Sequence, residues 1–211
     1  MSKPNLQIAL DSQTLEEALE TIREVGDVVD ILEVGTVLCL QEGMKPVKAV
    51  RALYPEKTIL ADTKCADAGS TVAKNCKDAG ANRMTVICCA TIPTMEAANK
   101  EIDALQVELY GDWTFEQAEQ WKKIGIEQVV YHQSRDALLS GETWGEKDLN
   151  KIKKLVEMGF KVSVTGGLDV NTLELFKGID VYTFIAGRGI AKAENPRQAA
   201  IDFKEKINQI F

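Results

Sequence analysis

The sequence predicts a single (β/α)8 barrel of the TIM type, because three observations agree. Short runs of β-branched residues alternate with longer helical segments along all 211 residues. Eight such strand–helix pairs can be counted, and no long linker or low-complexity tract separates them. Alternating units of this kind form parallel sheets through right-handed crossovers, and eight units can close into a barrel. We therefore expect residues 1–211 to form one domain.

An open, doubly wound parallel sheet is the alternative fold. Such a sheet normally has fewer strand–helix units, and a glycine-rich turn often follows its first strand. Here the first predicted turn reads Asp11-Ser12-Gln13 and contains no GxGxxG motif. The barrel is therefore the better prediction.

The strands are expected where β-branched and other apolar residues run together, and the helices where apolar residues recur at helical spacing. The predicted strands span residues 6–10, 30–34, 58–61, 83–88, 105–109, 128–131, 161–164 and 181–186. The helices that follow them are predicted at residues 14–25, 45–53, 69–79, 94–101, 114–124, 146–158, 171–176 and 197–210.

Capping and terminating residues mark several helix boundaries. Thr14 followed by Glu17 is a capping-box pattern at the start of the first helix. Tyr54-Pro55 ends the second helix, because proline cannot continue one. Later helices are followed by a glycine in the usual terminating position, at Gly80, Gly125 and Gly159.

The charge balance argues against nucleic acid as a partner. The chain carries 25 Lys+Arg against 32 Asp+Glu, a formal net charge of −7, and no block of basic residues. A protein that binds the phosphate backbone needs a basic face. No stretch approaches the roughly 18 uninterrupted apolar residues of a membrane span. We expect neither nucleic acid nor a membrane as a partner.

The cysteines and tryptophans are expected to be structural. The 5 cysteines are odd in number and show no CxxC or other zinc spacing, which indicates reduced thiols in a cytoplasmic protein. Trp121 falls at apolar spacing within a predicted helix, and Trp113 and Trp144 precede helices. Packing is the expected role of all three rings.

Polar side chains occur at most of the predicted strand ends, where barrels of this kind place their active sites. They include the single histidine of the chain. In strand order they are Asp11, Glu33, Asp62 with Lys64, Glu108, His132, Thr165 and Arg188. A functional cluster is the favoured interpretation, and a polar network that merely fills the barrel mouth is the alternative.

The last two strand ends predict a phosphate site. One reads Thr165-Gly166-Gly167 and the other Gly187-Arg188-Gly189. Glycines let backbone N–H groups approach an anion closely, and the loops after strands 7 and 8 are the usual phosphate site of these barrels. Arg188 adds a forked cation that suits phosphate oxygens. The alternative is that these glycines only form tight turns.

The third strand end predicts an electrostatic centre. Asp62 and Lys64 are two residues apart, so on a strand both side chains point to the same side. A lysine between carboxylates stays protonated and can donate to a developing oxyanion. Glu33, on the adjacent strand, can stand beside Asp62, and two carboxylates with waters suit Mg²⁺. A plain salt-bridge network is the alternative.

The same segment carries a resemblance to a known family. Asp62-x-Lys64-x-x-Asp67 matches the DxKxxD motif of the orotidine 5′-monophosphate decarboxylase suprafamily. The resemblance runs nearly end to end and is strongest to the branch that acts on 3-keto-L-gulonate 6-phosphate. The segment Tyr131-His132-Gln133-Ser134-Arg135-Asp136 is the more specific part, since hexulose phosphate synthases share DxKxxD.

The resemblance implies a (β/α)8 lyase that removes CO₂ from 3-keto-L-gulonate 6-phosphate. The product would be L-xylulose 5-phosphate, formed through an enediolate in L-ascorbate utilisation. Loss of CO₂ from this β-keto acid leaves an enediolate, which Mg²⁺ on Glu33 and Asp62 can bind as a Lewis acid. Lys64 can donate a hydrogen bond to the same oxygens.

The remaining residues are assigned to protonation and binding. His132 and Arg135 are the candidates to position a water or to supply the proton for the carbon that lost CO₂. The phosphate is expected at Thr165, Gly166, Gly167, Gly187 and Arg188. Asp11 and Glu108 are expected to bind substrate hydroxyls or to orient Lys64.

The resemblance also implies an obligate homodimer with shared active sites. In the family, the aspartate equivalent to Asp67 reaches the active site of the partner subunit, whereas composition and periodicity do not show a dimer. Two alternative functions remain. One is a hexulose 6-phosphate synthase, an aldolase that adds formaldehyde to the same enediolate, and the other is a non-catalytic sugar-phosphate sensor.

Overall fold

The computed structural model describes residues 3–211 and has a closed, eight-stranded parallel barrel at its centre. Each strand pairs with the next in chain order, and the last pairs with the first. The predicted (β/α)8 barrel is therefore confirmed. The strands are β1 Asn5–Leu10, β2 Ile31–Val34, β3 Thr58–Cys65, β4 Arg83–Ile87, β5 Ala104–Leu109, β6 Gln128–His132, β7 Lys161–Thr165 and β8 Thr183–Ala186.

Helices cover the outside of the barrel between successive strands. They are α1 Leu15–Val25, α2 Thr36–Glu42, α3 Lys45–Leu53, α4 Gly69–Asp78, α5 Ile92–Asn99, α6 Phe115–Lys123, α7 Arg135–Leu139, α8 Glu146–Glu157, α9 Arg188–Ala191 and α10 Pro196–Ile210. The predicted helices agree with these to within a few residues, apart from the one at 171–176. That segment is a 3₁₀ helix, Thr172–Phe176.

Three short helices were not predicted, and all follow strand ends. They are α2, α7 and α9, each of at most 7 residues. Segments this short carry too few apolar positions for a helical period to be recognised. The third strand is also longer than the predicted 58–61, because it continues through Asp62 and Lys64 to Cys65. Both predicted active-site residues therefore lie within the strand.

Capping fixes several helix starts, although one prediction is only half right. The Thr14 hydroxyl accepts a hydrogen bond from the Glu17 N–H at 3.3 Å, as a helix N-cap should. The Glu17 carboxylate, however, accepts from the N–H of Gln13 and not from that of Thr14. A complete capping box forms instead at α6, between Thr114 and Gln117.

The hydrophobic core lies between the barrel and its helices. Trp121 on α6 is only 1% exposed, in agreement with its predicted core position, while Trp113 and Trp144 are partly buried against the same core. The barrel interior is more polar, since Gln7 and Gln106 are fully buried there. No helix within residues 3–211 is both long and apolar enough to cross a membrane.

An exposed ion pair links the start of α10 to the loop that follows α1. Arg197, at the start of α10, donates through Nη1 and Nη2 to the two carboxylate oxygens of Asp27 at 2.7 and 2.8 Å. Its Nη1 also donates to the Glu24 carbonyl at the end of α1. The hydrogen bond from Arg197 lowers the pKa of Asp27 from 3.8 to about 2.

Arg197→Gln should lower the free energy of unfolding at pH 7 only slightly, because exposed ion pairs are screened by water. The Asp27 pKa is depressed in the folded state, so the contribution is present above pH 3.8 and is lost as the pH falls towards 2. Urea denaturation of the wild type and the variant, from pH 7 down to the lowest pH at which both stay folded, measures the difference in their free energies of unfolding. An undiminished difference at low pH would contradict the prediction.

Arg23→Gln is the matched control. Arg23 is an exposed arginine on α1 that makes no ion pair or side-chain hydrogen bond within residues 3–211. Its replacement should leave stability unchanged across the same pH range.

Candidate active site

A cavity of about 1130 Å³ opens at the carboxyl ends of the barrel strands. All but one of the predicted site residues line it. They are Asp11, Glu33, Asp62, Lys64, Glu108, His132, Arg135, Thr165, Gly166, Gly167, Gly187 and Arg188. The exception is Asp67, which lies exposed on the loop between β3 and α4 and does not line the cavity of its own chain.

Lys64 and Asp62 form the central ion pair of the cavity. The Lys64 Nζ lies 2.5 Å from Asp62 Oδ2 and 3.0 Å from Glu108 Oε2. Thr36 donates to Asp62 Oδ2 and Thr85 donates to Asp62 Oδ1, each at 2.6 Å. The carboxylate of Asp62 is therefore held on both oxygens while its charge faces the ammonium.

The backbone of β3 is distorted where it presents Lys64. Lys64 has φ +44°, a conformation that non-glycine residues rarely adopt, and the pairing of β3 with β4 shifts register between Ala61 and Cys65. The Lys64 N–H donates to the Thr85 hydroxyl at 2.9 Å, which holds this conformation. The predicted proximity of Asp62 and Lys64 is confirmed, but simple strand alternation is not its cause.

The electrostatic environment keeps the ammonium charged. Burial by itself lowers the pKa of Lys64, but the carboxylates of Asp62 and Glu108 outweigh it and raise the pKa above its usual value. Burial likewise raises the pKa of Asp62, but Lys64 and the two threonine hydroxyls reverse this and lower it. Near neutral pH the pair is therefore an ammonium and a carboxylate.

Glu33 is a buried carboxylate, and no cationic side chain within residues 3–211 forms an ion pair with it. Its Oε2 accepts a hydrogen bond from the Gln7 side-chain amide. Burial and the negative charges of Asp62 and Asp11 raise the pKa of Glu33 well above its usual value. A bound cation would relieve this repulsion, and carboxylate oxygens are the ligands that Mg²⁺ prefers.

The residues present therefore fit a hard divalent cation held by two protein carboxylates, Glu33 and Asp62. No group of three or more His, Cys, Asp or Glu side chains within residues 3–211 is arranged to enclose a metal. Waters or substrate oxygens would have to complete the coordination shell, as is common for Mg²⁺.

His132 is held by two neighbours through one ring nitrogen. Its Nδ1 lies 2.6 Å from Glu108 Oε1 and 2.6 Å from the Tyr110 hydroxyl, which also donates to Glu108 Oε1 at 3.1 Å. Because an ionised carboxylate only accepts hydrogen bonds, this network assigns a proton to Nδ1. The Nε2 atom is then the ring nitrogen available for proton exchange.

Arg135 and Asp11 face each other at the rim of the cavity. Arg135 begins α7, and its Nη2 lies 3.6 Å from Asp11 Oδ2. Asp11 Oδ1 also accepts a hydrogen bond from the Val37 N–H at 3.4 Å, near the start of α2. Both side chains remain partly exposed, so substrate can reach them.

The glycine loops after β7 and β8 also line the cavity. Gly166 and Gly167 both have positive φ, +106° and +62°. A Cβ on Gly166 would collide with the Gln133 carbonyl oxygen, so only glycine fits there. Arg188 is exposed at the start of α9, and the Thr165 hydroxyl donates to the Ile185 carbonyl between the two strands.

Sequence reasoning missed three residues that hold the charged groups in place. Thr36 and Thr85 bind Asp62, and Tyr110 binds Glu108 and His132. For Tyr110 a signal existed, since it stands two residues after Glu108 at a strand end. Thr85 lies within β4, whose end carries no charged residue, so the pattern of polar strand ends does not point to it.

Comparison with known proteins gives consistent matches. Residues 4–203 match the sequence model of the orotidine 5′-phosphate decarboxylase / HUMPS family. The chain is 53% identical over 215 residues to 3-keto-L-gulonate-6-phosphate decarboxylase UlaD of Salmonella paratyphi B, covering 100% of both chains.

Solved structures are similar over the whole chain as well. A crystal structure of KGPDC from Streptococcus mutans has a TM-score of 0.99 and 60% identity, and covers 100% of both chains. The 3-hexulose-6-phosphate synthase from Salmonella typhimurium has a TM-score of 0.91 and 27% identity, and covers 98% of this chain and 100% of its own.

Gly166→Ala should destabilise the protein by at least about 1 kcal/mol, because an L-residue is strained at this positive φ. The added methyl would also meet the Gln133 carbonyl. Gly145→Ala is the matched control, since Gly145 has extended backbone and its nearest neighbour would lie 3.9 Å from a Cβ. Chemical denaturation measures both variants, and equal stabilities would show that the loop conformation is wrong.

Proposed function

This chain belongs to the orotidine 5′-phosphate decarboxylase / HUMPS family, and we propose that it decarboxylates 3-keto-L-gulonate 6-phosphate to L-xylulose 5-phosphate. The observation that carries this proposal is the Lys64 ammonium, held between Asp62 and Glu108 inside the cavity. The full-length identity to a decarboxylase of this name supports the choice of substrate. A role in L-ascorbate utilisation follows from the substrate.

Loss of CO₂ from a β-keto acid leaves an electron pair that delocalises onto the neighbouring oxygens as an enediolate. The Lys64 ammonium can donate to those oxygens, and its raised pKa keeps the proton on nitrogen. Asp62 fixes the ammonium, with Thr36 and Thr85 holding Asp62 in turn. Because these groups are in place before reaction, little reorganisation is needed when charge develops.

Glu33 and Asp62 are the residues that would hold Mg²⁺. When bound, the cation would supply Lewis-acid stabilisation to the enediolate oxygens. The crowding of Glu33 by the charges of Asp62 and Asp11 supports this placement, because a cation between them would offset the repulsion.

His132 and Arg135 are proposed to deliver the proton that replaces CO₂. Glu108 and Tyr110 hold the His132 ring through Nδ1, so a ring that has also taken a proton on Nε2 can give that proton up, directly or through a water bound there, and return to the neutral Nδ1–H form. Arg135, paired with Asp11, can orient such a water at the rim. Asp11 and Glu108 are further proposed to bind substrate hydroxyls or to orient Lys64.

The phosphate is proposed to bind at the glycine loops. Backbone N–H groups of the positive-φ glycines can approach phosphate oxygens closely, and Arg188 adds a forked cation. This site supplies binding energy far from the reacting carbon. The residues are Thr165, Gly166, Gly167, Gly187 and Arg188.

We also propose a homodimer in which Asp67 completes the site of the partner subunit. Asp67 is exposed and does not line the cavity of its own chain, as such a role requires. The family resemblance supports the shared site. A cytoplasmic location is proposed as well, and the five cysteines, which are all free thiols, support it.

A hexulose 6-phosphate synthase is the second candidate function. The structural similarity to the Salmonella typhimurium synthase favours keeping it. Both reactions would pass through an enediolate at Lys64 and would differ in whether a proton or formaldehyde attacks it.

The purified protein should release CO₂ from 3-keto-L-gulonate 6-phosphate, and EDTA should reduce the rate at least about 100-fold, reversibly with Mg²⁺. A coupled assay of L-xylulose 5-phosphate measures this. Condensation of formaldehyde with ribulose 5-phosphate is the matched comparison. Faster condensation than decarboxylation would favour the synthase, and full activity in EDTA would refute the metal site.

Lys64→Ala and Asp67→Ala should each lower kcat at least about 100-fold. If sites are shared, a mixed dimer carries one site in which both residues are intact. Remixing the two variants at equal amounts should therefore restore about a quarter of wild-type activity, since half the dimers are mixed and each has one good site of two.

The Lys64→Ala/Asp67→Ala double variant is the control for this experiment. Mixed with Asp67→Ala it leaves no site with both residues, so no activity should return. Failure of the two single variants to complement would exclude the shared site.

A further inference from the structure

We propose that Trp144 is a positioning residue for the phosphate site. Its indole N–H donates to the Gly166 carbonyl oxygen at 2.8 Å. The inference rests on the proposed function, since it assumes that the Gly166–Gly167 peptide meets the substrate phosphate. It assigns to Trp144 a role beyond the packing that its sequence position predicts.

The geometry of the peptide bond links the indole to the phosphate. In a trans peptide the C=O and the following N–H point in opposite directions. The Trp144 ring packs against the hydrophobic core and does not line the cavity. Its hydrogen bond therefore holds the Gly166 carbonyl on the side of the peptide that faces the core. The Gly167 N–H therefore points away from the indole, and Gly167 is one of the residues that line the cavity.

The Gly167 N–H is also available. It makes no hydrogen bond to any part of the chain between residues 3 and 211. A free backbone donor at a cavity that Arg188 also lines is the kind of group that binds phosphate oxygens.

The peptide needs an external constraint because it joins two glycines. Both Gly166 and Gly167 have positive φ, and glycine populates either sign of φ about equally. Rotation of this peptide would replace the N–H in the cavity by a carbonyl oxygen, which repels phosphate. The hydrogen bond from Trp144 favours the orientation that binds an anion.

The indole itself is held by its surroundings. Its ring lies edge-on to Phe176 at 5.1 Å and tilted against Tyr131 at 6.0 Å. The Tyr131 hydroxyl donates to Asp148 Oδ1, and Asp148 Oδ2 accepts from the N–H of Gly145, the residue after Trp144. Ring packing therefore holds the indole of Trp144, and the hydrogen bond at Gly145 holds the backbone next to it.

Trp144→Phe removes the N–H and keeps an aromatic ring in the cluster. We expect its affinity for inorganic phosphate to fall about tenfold, because the Gly167 N–H is no longer held in place. Titration calorimetry gives the affinity, and the ¹⁵N–¹H resonance of Gly167 reports whether its amide still responds to phosphate. In turnover the loss should appear mainly in KM for the phosphorylated substrate.

Trp113→Phe is the matched control. Trp113 also packs against Tyr131, edge-on and at 6.4 Å between ring centroids. Its replacement perturbs the same aromatic cluster but not the Gly166 carbonyl, so phosphate affinity should stay within twofold of wild type. A purely structural role for the cluster would weaken binding equally in both variants and would overturn the proposal.

An isosteric replacement separates the hydrogen bond from packing. Incorporation of β-(3-benzothienyl)alanine at position 144 keeps the ring shape and lacks the N–H, so it tests the proposal even if Trp144→Phe fails to fold. Unchanged phosphate affinity in this protein would overturn the inference.

Phosphate binding is measured without turnover, which distinguishes the two proposals. A wild-type protein that binds phosphate at Gly167 but does not decarboxylate refutes the proposed function and leaves the role of Trp144 standing. If the ¹⁵N–¹H resonance of Gly167 in the wild-type protein does not shift when phosphate is added, the proposed role of Trp144 is refuted.

Discussion

The ammonium group of Lys64 is the interaction on which the rest of the site depends. Acidic side chains converge at the barrel mouth, and Glu33, Asp62 and Glu108 are each at most 7% exposed. Buried carboxylates are costly unless they are paired or hydrogen-bonded. Lys64 compensates Asp62 and Glu108 directly, whereas Glu33 retains a raised pKa. A second cation would stabilise the ionised form of Glu33, which is what makes the site suited to one.

The central ion pair is maintained by neutral groups and by backbone strain. Thr36, Thr85 and Tyr110 carry no charge at neutral pH, and each hydrogen-bonds a carboxylate of the cluster. Lys64 itself adopts a left-handed backbone conformation, which costs stability and persists because the surrounding strands impose it. Such a conformation is typical of residues whose position serves function at the expense of folding energy.

Two parts of the cavity are proposed to have different roles, one in the reaction and the other in phosphate binding. Strands β2, β3, β5 and β6 supply the titratable groups around the proposed reacting carbon, while the loops after β7 and β8 supply backbone donors and Arg188. The segment after β6 connects them, because it carries Arg135 at the rim and Trp144 behind the glycine loop. The positions of Arg135 at the rim and of the Gly166–Gly167 peptide therefore both depend on the conformation of the segment after β6.

The sequence by itself determined the barrel and the residues at its strand ends. Strand–helix alternation and polar strand ends are local patterns, and a parallel barrel collects strand ends at one face. Only the tertiary structure showed that Thr85 and Tyr110 hold the charged groups, that Lys64 is presented by a distorted strand, and that Trp144 contacts the Gly166 carbonyl. These contacts join residues from different strands and loops, and their partners depend on register, bulges and side-chain packing. Sequence spacing does not encode those distances, so folding alone decides them.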